Sequence, residues 1–289
     1  MKNLKEYIIE GIFDTDDNID NIDESIKNQI ERFLKDNFSN VSLCKISDEP
    51  NANGKYEVSC NGNIEVKNKK TTSLTNGLFI WTTVCGNFDC TFCKSLTSLE
   101  GAPKEVWGTL SCYNCESLTS LEGAPKEVGG FFCGYCYSLK SLKGAPERVD
   151  GDFNCRECHS LISLEGAPKE VGGAFECRYC ESLKSLEGAP KEVGSFFNCT
   201  HCASLKSLKG APKEVEGGFN CSHCKSLTSL KGSPNKVGGC FICCFCKSLT
   251  SLEGAPKEVG WDFDCDNCCV AFTIDDVKKV SNVKGMIKV

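Results

Sequence analysis

From Val84 to Cys268 the apolar residues keep one spacing, Val-x-Gly-x-Phe-x-Cys-x-x-Cys-x-Ser-Leu-x-Ser-Leu-x-Gly-Ala-Pro-x-x, repeated nine times with small changes. The prolines mark the beat. Pro103, Pro125, Pro146, Pro168, Pro190, Pro212, Pro234 and Pro256 lie 22 residues apart except for one step of 21. Self-similarity at this period predicts a solenoid, in which a short unit buries its apolar side only by stacking on copies of itself. Residues two apart in a strand share a face. Phe88 with Cys90, Leu110 with Cys112 and Phe153 with Cys155 are therefore expected to point inward, joined by Leu96, Leu99 and their equivalents. Gly-Ala-Pro turns the chain, because Pro holds its own φ and lacks a backbone donor.

The flanks carry different patterns. Ile19, Ile22, Ile26, Ile30, Phe33 and Leu34 recur three and four apart and predict an amphipathic helix, with Asp14 to Asp17 suited to its N-terminal end. Residues 41–55, with Asp48-Glu49-Pro50-Asn51-Ala52-Asn53-Gly54 among them, are turn-rich and predict a loop. Lys55 to Cys60 and Asn63 to Val66 alternate about Asn61-Gly62, a hairpin signal, and Ile64 and Val66 have the spacing of a first rung. Past Cys268, Thr273 to Val280 predicts a short capped helix. Val283 to Val289 then restores the repeat pattern as a final rung. The domain reading is 1–55 helical cap and leader, 56–83 hairpin and first degenerate rung, 84–268 nine repeats, and 269–289 C-terminal cap.

The strand segment Phe-x-Cys-x-x-Cys-x-x-Leu resembles that of the leucine-rich repeat. The first Cys takes a leucine site and the second the asparagine site. The resemblance covers roughly residues 60–289 and implies a β-rich solenoid, a parallel stack of short strands with a small α cap at the N-terminus and a helix-strand cap at the C-terminus. It departs from the family upstream, where Val sits one residue too far from Phe in most units. Nine cysteine rungs plus one at each end, at about 4.8 Å per rung, imply a rod or shallow arc.

Composition narrows the function classes. A mixed surface with a net charge of −6 gives nucleic-acid binding no electrostatic support. The chain has no apolar run long enough to span a membrane. Glu6 and Glu10 interrupt the apolar residues of the N-terminus, which therefore does not read as a secretion signal. The 24 cysteines are accordingly expected to be reduced thiols in a cytoplasmic compartment.

Three chemistries are open to those thiols. Cys90, Cys93, Cys112 and Cys115 match a zinc-ribbon spacing, yet the repeat alone generates it. Zinc needs sulfurs under about 4 Å apart, whereas rungs hold equivalents about 4.8 Å apart. Dithiol redox chemistry needs an exposed, activated thiol. The reading preferred is a buried small apolar group whose S–H donates weakly to a carbonyl, with no metal ligand and no cofactor assigned. Cys85, Cys240, Cys244 and Cys269 fall outside the ladders, and Cys244 is expected to be exposed.

No catalytic constellation recurs, and His159, His201 and His223 have no recurring acidic or serine partner, so the chain is read as a non-enzyme. Ser-Leu-x-Ser-Leu-x-Gly-Ala-Pro barely changes between copies, while the outward strand positions vary. Phe92, Phe132, Tyr135, Arg156, Arg178, Tyr179, His201, His223 and Phe245 are expected to form columns on the strand face. Aromatic and Arg side chains are frequent anchors of protein recognition, so the expected partner is a protein. A passive solvated face and sugar stacking are the other readings of these columns. Pro-Lys-Glu-Val on the opposite side reads as a solubilising mixed-charge surface.

Finally, Met1 to Gly11 is similar to head-targeting leaders of internal proteins in tailed bacteriophages, which are cut after a hydrophobic-x-Glu triplet such as Ile8-Ile9-Glu10. The repeat arrays are also similar to those of phage and gut-bacterial proteins. That resemblance implies a packaged virion component acting as a rigid spacer, located in the virion interior. An ordinary capping helix is the simpler alternative. A metal-binding thiol array stands third.

Overall fold

In a computed structural model describing residues 19–289, the chain winds into a β-solenoid of short, stacked parallel strands. The leader Met1 to Gly11 and the acidic cap Asp14 to Asp17 lie outside the described residues. Among those residues, no helix is long and apolar enough to cross a membrane.

Each rung carries two short strands. One holds the Val position and the other the Phe position. The Phe strands pair in register from rung to rung, and the Val strands do so except between Val193 and Val215, where that ladder is interrupted. Val149, Val171 and Val193 form one ladder, and Phe131, Phe153, Phe175, Phe197, Phe219, Phe241 and Phe263 form the other. This accounts for the residue by which Val is displaced from the leucine-rich-repeat spacing. In most rungs it is spent on a bend, such as that at Asp150 and Gly151, which separates the strands and turns a corner. The rung with one residue fewer, Glu127–Phe132, runs as a continuous strand and pairs with Glu105–Ser111 through a register shift between Val106 and Thr109.

Six apolar positions of each rung face inward: Val, Phe (or Leu110), both cysteines and both leucines. Val171, Phe175, Cys177, Cys180, Leu183 and Leu186 are all buried, as are nearly all their equivalents. Each fully buried Phe, Leu or Val contributes roughly 1.5–3 kcal/mol, which a single 22-residue rung cannot collect without neighbours above and below. Identical residues then stack directly. Phe153, Phe175, Phe197 and Phe219 lie with ring centroids 5.0–5.2 Å apart and nearly parallel.

The N-terminal end is closed by elements that break the repeat. Helix α1 (Ile19–Asn37) buries Ile26, Ile30 and Leu34 against the stack, with Ile22 and Phe33 packed beside them. Its Asp23 accepts a 2.8 Å hydrogen bond from the Tyr56 hydroxyl. Strands β1 (Phe38–Ser39) and β2 (Cys44–Ile46) follow, then β3 (Tyr56–Cys60) and β4 (Ile64–Val66). The hairpin expected across Asn61-Gly62 does not form. Strands β3 and β4 belong to different ladders of one rung: β3 pairs in parallel with Phe79–Val84, and β4 in parallel with Phe88–Asp89. Asn61-Gly62 is a corner between them. Antiparallel β1 and β2 cover β4 and β3 on the outer side, so both ladders end on a strand of reversed direction. Strand β2 falls inside the loop expected over residues 41–55: Val41–Leu43 forms a 3-10 turn and Cys44–Ile46 pairs with β3, which leaves only 47–55 as loop.

At the C-terminus, helix α2 (Ile274–Val280) is capped by Thr273, whose side chain accepts from the Asp276 N–H while the Asp276 carboxylate accepts from the Thr273 N–H. Asn282–Val283 and Ile287–Lys288 extend the two ladders by one rung, as the sequence pattern predicts.

A candidate protein-binding face on the cysteine turn

The strand holding Phe runs into the Cys-x-x-Cys turn, and this pair of segments carries every candidate residue. All 24 cysteines are free thiols. The second cysteine of each rung donates its S–H to the carbonyl of the first cysteine one rung earlier. Eight successive bonds, from Cys115 to Cys90 through Cys268 to Cys243, measure 3.2–3.3 Å. The second cysteine is therefore a polar ladder residue, whereas the first is mainly packing. Burial pushes the Cys133, Cys155 and Cys177 thiols well above the ordinary range and lifts Cys93 and Cys265 to about 12. Such thiols stay protonated and poorly nucleophilic. Among the described residues no three His, Cys, Asp or Glu side chains are grouped so as to hold a metal ion. Cys244, expected on the surface, is half-buried, while Cys269 is exposed.

The residue before the second cysteine adopts a left-handed backbone in every rung. Phe92, Asn114, Tyr135, Glu157, Tyr179, His201, His223, Phe245 and Asn267 all have φ between 57° and 64°. This conformation costs an L-residue roughly 1–2 kcal/mol, less for Asn. In return the N–H of this residue points along the stack and donates to the next rung, as Tyr179 does to Thr200 and His201 to Ser222 at 2.9 and 3.0 Å. The left-handed turn throws its side chain outward. Sequence periodicity carries no sign of it, because glycine, the usual marker, is missing from this position.

The column this creates is aromatic and, over rungs five to eight, continuous. Tyr179 and His201 stack at 4.4 Å, His201 and His223 at 4.3 Å, and His223 and Phe245 at 4.8 Å, all within 10° of parallel. A second cluster covers rungs two to four. Tyr113 and Tyr135 lie 5.0 Å apart, and the Arg156 guanidinium sits over both rings at 5.4 and 5.6 Å and donates to the Tyr113 hydroxyl at 2.6 Å. Gly134 permits this closure, since a Cβ there would lie 3.0 Å from the Tyr113 ring and 3.2 Å from the Arg156 side chain. Tyr137 continues the cluster, stacked on His159 at 5.4 Å.

The remaining candidates sit beside these columns. Phe132 lies one strand position upstream and is half-buried, and Phe92 stands at the N-terminal end of the left-handed column, 49% exposed. Arg178 neighbours Arg156 one rung on, its Nε 3.2 Å from Glu176 Oε2 without hydrogen-bond alignment. Sequence reasoning missed Tyr113, which shares the Arg column, and Tyr137, which follows its cysteine. Their signal was aromatic identity in outward columns where other copies carry small or charged residues. Conversely, Asp89, Asn154, Asn198, Asn220 and Asp264 vary outward for a local reason: each side chain accepts from the N–H two residues on and shapes the turn.

On the opposite edge, Lys143 pairs with Glu165, Glu187 with Lys209 and Lys231 with Glu253 at 2.8–3.1 Å. These pairs are well exposed and individually worth little. Compared with known proteins, the chain matches no family profile, no curated sequence and no solved structure.

Proposed function

We propose that this chain is a non-enzymatic repeat protein that binds a protein partner through the strand and cysteine-turn face. One observation carries the reading: nine consecutive rungs hold a non-glycine residue in the left-handed conformation, and six of these are Phe, Tyr or His. Backbone strain retained in copy after copy, at positions that project aromatic side chains into solvent, points to use of those side chains. The Tyr113, Tyr135 and Arg156 cluster adds residue types that anchor protein interfaces. The leucine-rich-repeat resemblance is supported by the ladder role of the second cysteine at the asparagine site. Free, protonated thiols fit a reducing compartment.

The test is affinity capture from the native host with the wild-type chain and with Tyr135→Ala, Tyr179→Ala and Phe245→Ala combined. A partner retained by the wild type is expected to be lost from the variant. Equal capture by both would overturn the reading. It would favour the rigid-spacer or virion alternative, which is supported by the two ladders extending through the C-terminal rung.

A further inference from the structure

The Tyr179, His201, His223 and Phe245 stack also says what kind of partner its part of the face accepts. Ring faces in the stack cover one another at 4.3–4.8 Å, so a sugar or a nucleic-acid base finds no internal aromatic face to lie on. The stack offers ring edges and imidazole nitrogens. Its surroundings are electrostatically one-sided. No carboxylate occurs on the strand and cysteine turn of rungs six to eight, over residues 198–203, 220–225 and 242–247, whereas Lys225 and Lys247 both occur there and are exposed.

The bordering charges are accounted for. His201 is faced by Tyr179 on one side and His223 on the other, with Lys225 nearby, and His223 is faced by Phe245 on its far side. Lys247 lies 5.7 Å from the Phe245 ring and donates to the Asn267 carbonyl. On rung five Glu176 is beside Arg178, and Glu181 is exposed at the margin. On rung nine Asp264 and Asp266 lie 3.4 and 3.6 Å from Lys288. Burial, then His223 and Lys225, hold the His201 imidazole below its ordinary range. Protonation of the His201 imidazole thus adds charge beside Lys225 and Lys247, with no carboxylate among these residues to neutralise it.

We infer that rungs six to eight form a proton-responsive cationic strip that binds an acidic, Asp- or Glu-rich protein segment and holds it more tightly as pH falls. This rests on reading the face as a protein-binding surface. An acidic segment stabilises the imidazolium form, so binding takes up protons and affinity rises with acidity.

The probe is a fluorescent oligo-L-aspartate of about twenty residues, titrated against the full chain by anisotropy, with oligo-L-asparagine as control. From about pH 7.5 to about pH 5.5 the affinity for oligo-aspartate is expected to rise about tenfold. His201→Phe with His223→Phe keeps the stack and should abolish the rise, while Lys225→Gln with Lys247→Gln should weaken binding at both pH values. No binding at the lower pH, an undiminished rise in the Phe variant, or tighter binding of single-stranded RNA would each overturn the inference. The two proposals fail separately: a partner captured through the face without acid-enhanced binding of oligo-aspartate overturns this inference alone, whereas equal capture by the wild type and the triple variant overturns the reading of the face.

Discussion

The first eight cysteine rungs each turn through left-handed backbone twice, and the two turns obey opposite rules. At Leu-x-Gly-Ala the left-handed residue is always glycine, with φ of 83–95° from Gly101 to Gly254. At Cys-x-x-Cys it is never glycine. The difference lies in where a Cβ would go. At Gly188 it would come within 2.6 Å of the Leu164 carbonyl and the Glu165 nitrogen of the previous rung. At Tyr179 it leads outward to a ring that stacks on His201. One turn is constrained by its neighbour's backbone and cannot vary. The other is constrained only in φ, and its side chain is free to carry specificity.

Several measurements sharpen or break that contrast. The largest effect is expected from alkali, because the cysteine turn depends on protonated thiols and the glycine turn buries no titratable side chain. Burial holds the Cys133, Cys155, Cys177, Cys199 and Cys221 thiols well above the ordinary value of 9.0 and lifts Cys93 and Cys265 to about 12, which outweighs the lowering of Cys115 by its bond with Cys90. The unfolded chain therefore loses protons first. Stability is full below about pH 9 and falls as pH rises from there toward 12, which a series of thermal melts would record as a steep decline. A flat profile would mean that the thiols are not buried as described.

Gly188→Ala combines a disfavoured φ with backbone collision and should cost about 3 kcal/mol or more, read from the urea midpoint. Tyr179→Gly removes strain and stacking together, so its net effect should stay within about 1 kcal/mol. If the two substitutions cost the same, the contrast between the turns fails. Between them falls a test of the two cysteines. Cys180→Ser keeps a donor for the Cys155 carbonyl, whereas Cys177→Ser buries a hydroxyl in a site that is mainly packing, and should be worse by about 1 kcal/mol. Equal losses would remove the polar ladder role from the second cysteine.

Much of the fold was legible because a 22-residue period leaves few ways to bury Phe, Cys and Leu except by stacking. The Thr273 capping box and the final rung were equally plain, since local spacing alone specifies them. The Asn61-Gly62 hairpin was misread because strand-turn-strand alternation looks the same at a solenoid corner as in a hairpin. Which strands pair is set by the rungs above and below. The candidate face was legible in composition but not in geometry: Tyr135, Tyr179 and His201 stood out as variable outward residues, while Tyr113 closing with Arg156 over Gly134 needed the rungs in contact.

The repeat by itself determined the stacked architecture, the inward thiols and leucines, and the glycine turn, since these follow from periodicity and from what each residue type permits locally. Only the tertiary structure decided that the second thiol bonds a neighbouring rung, that nine non-glycine residues take a left-handed turn, and that aromatic rings cover one another's faces. Those three features depend on the distance and orientation between adjacent copies, a quantity carried by no single stretch of chain.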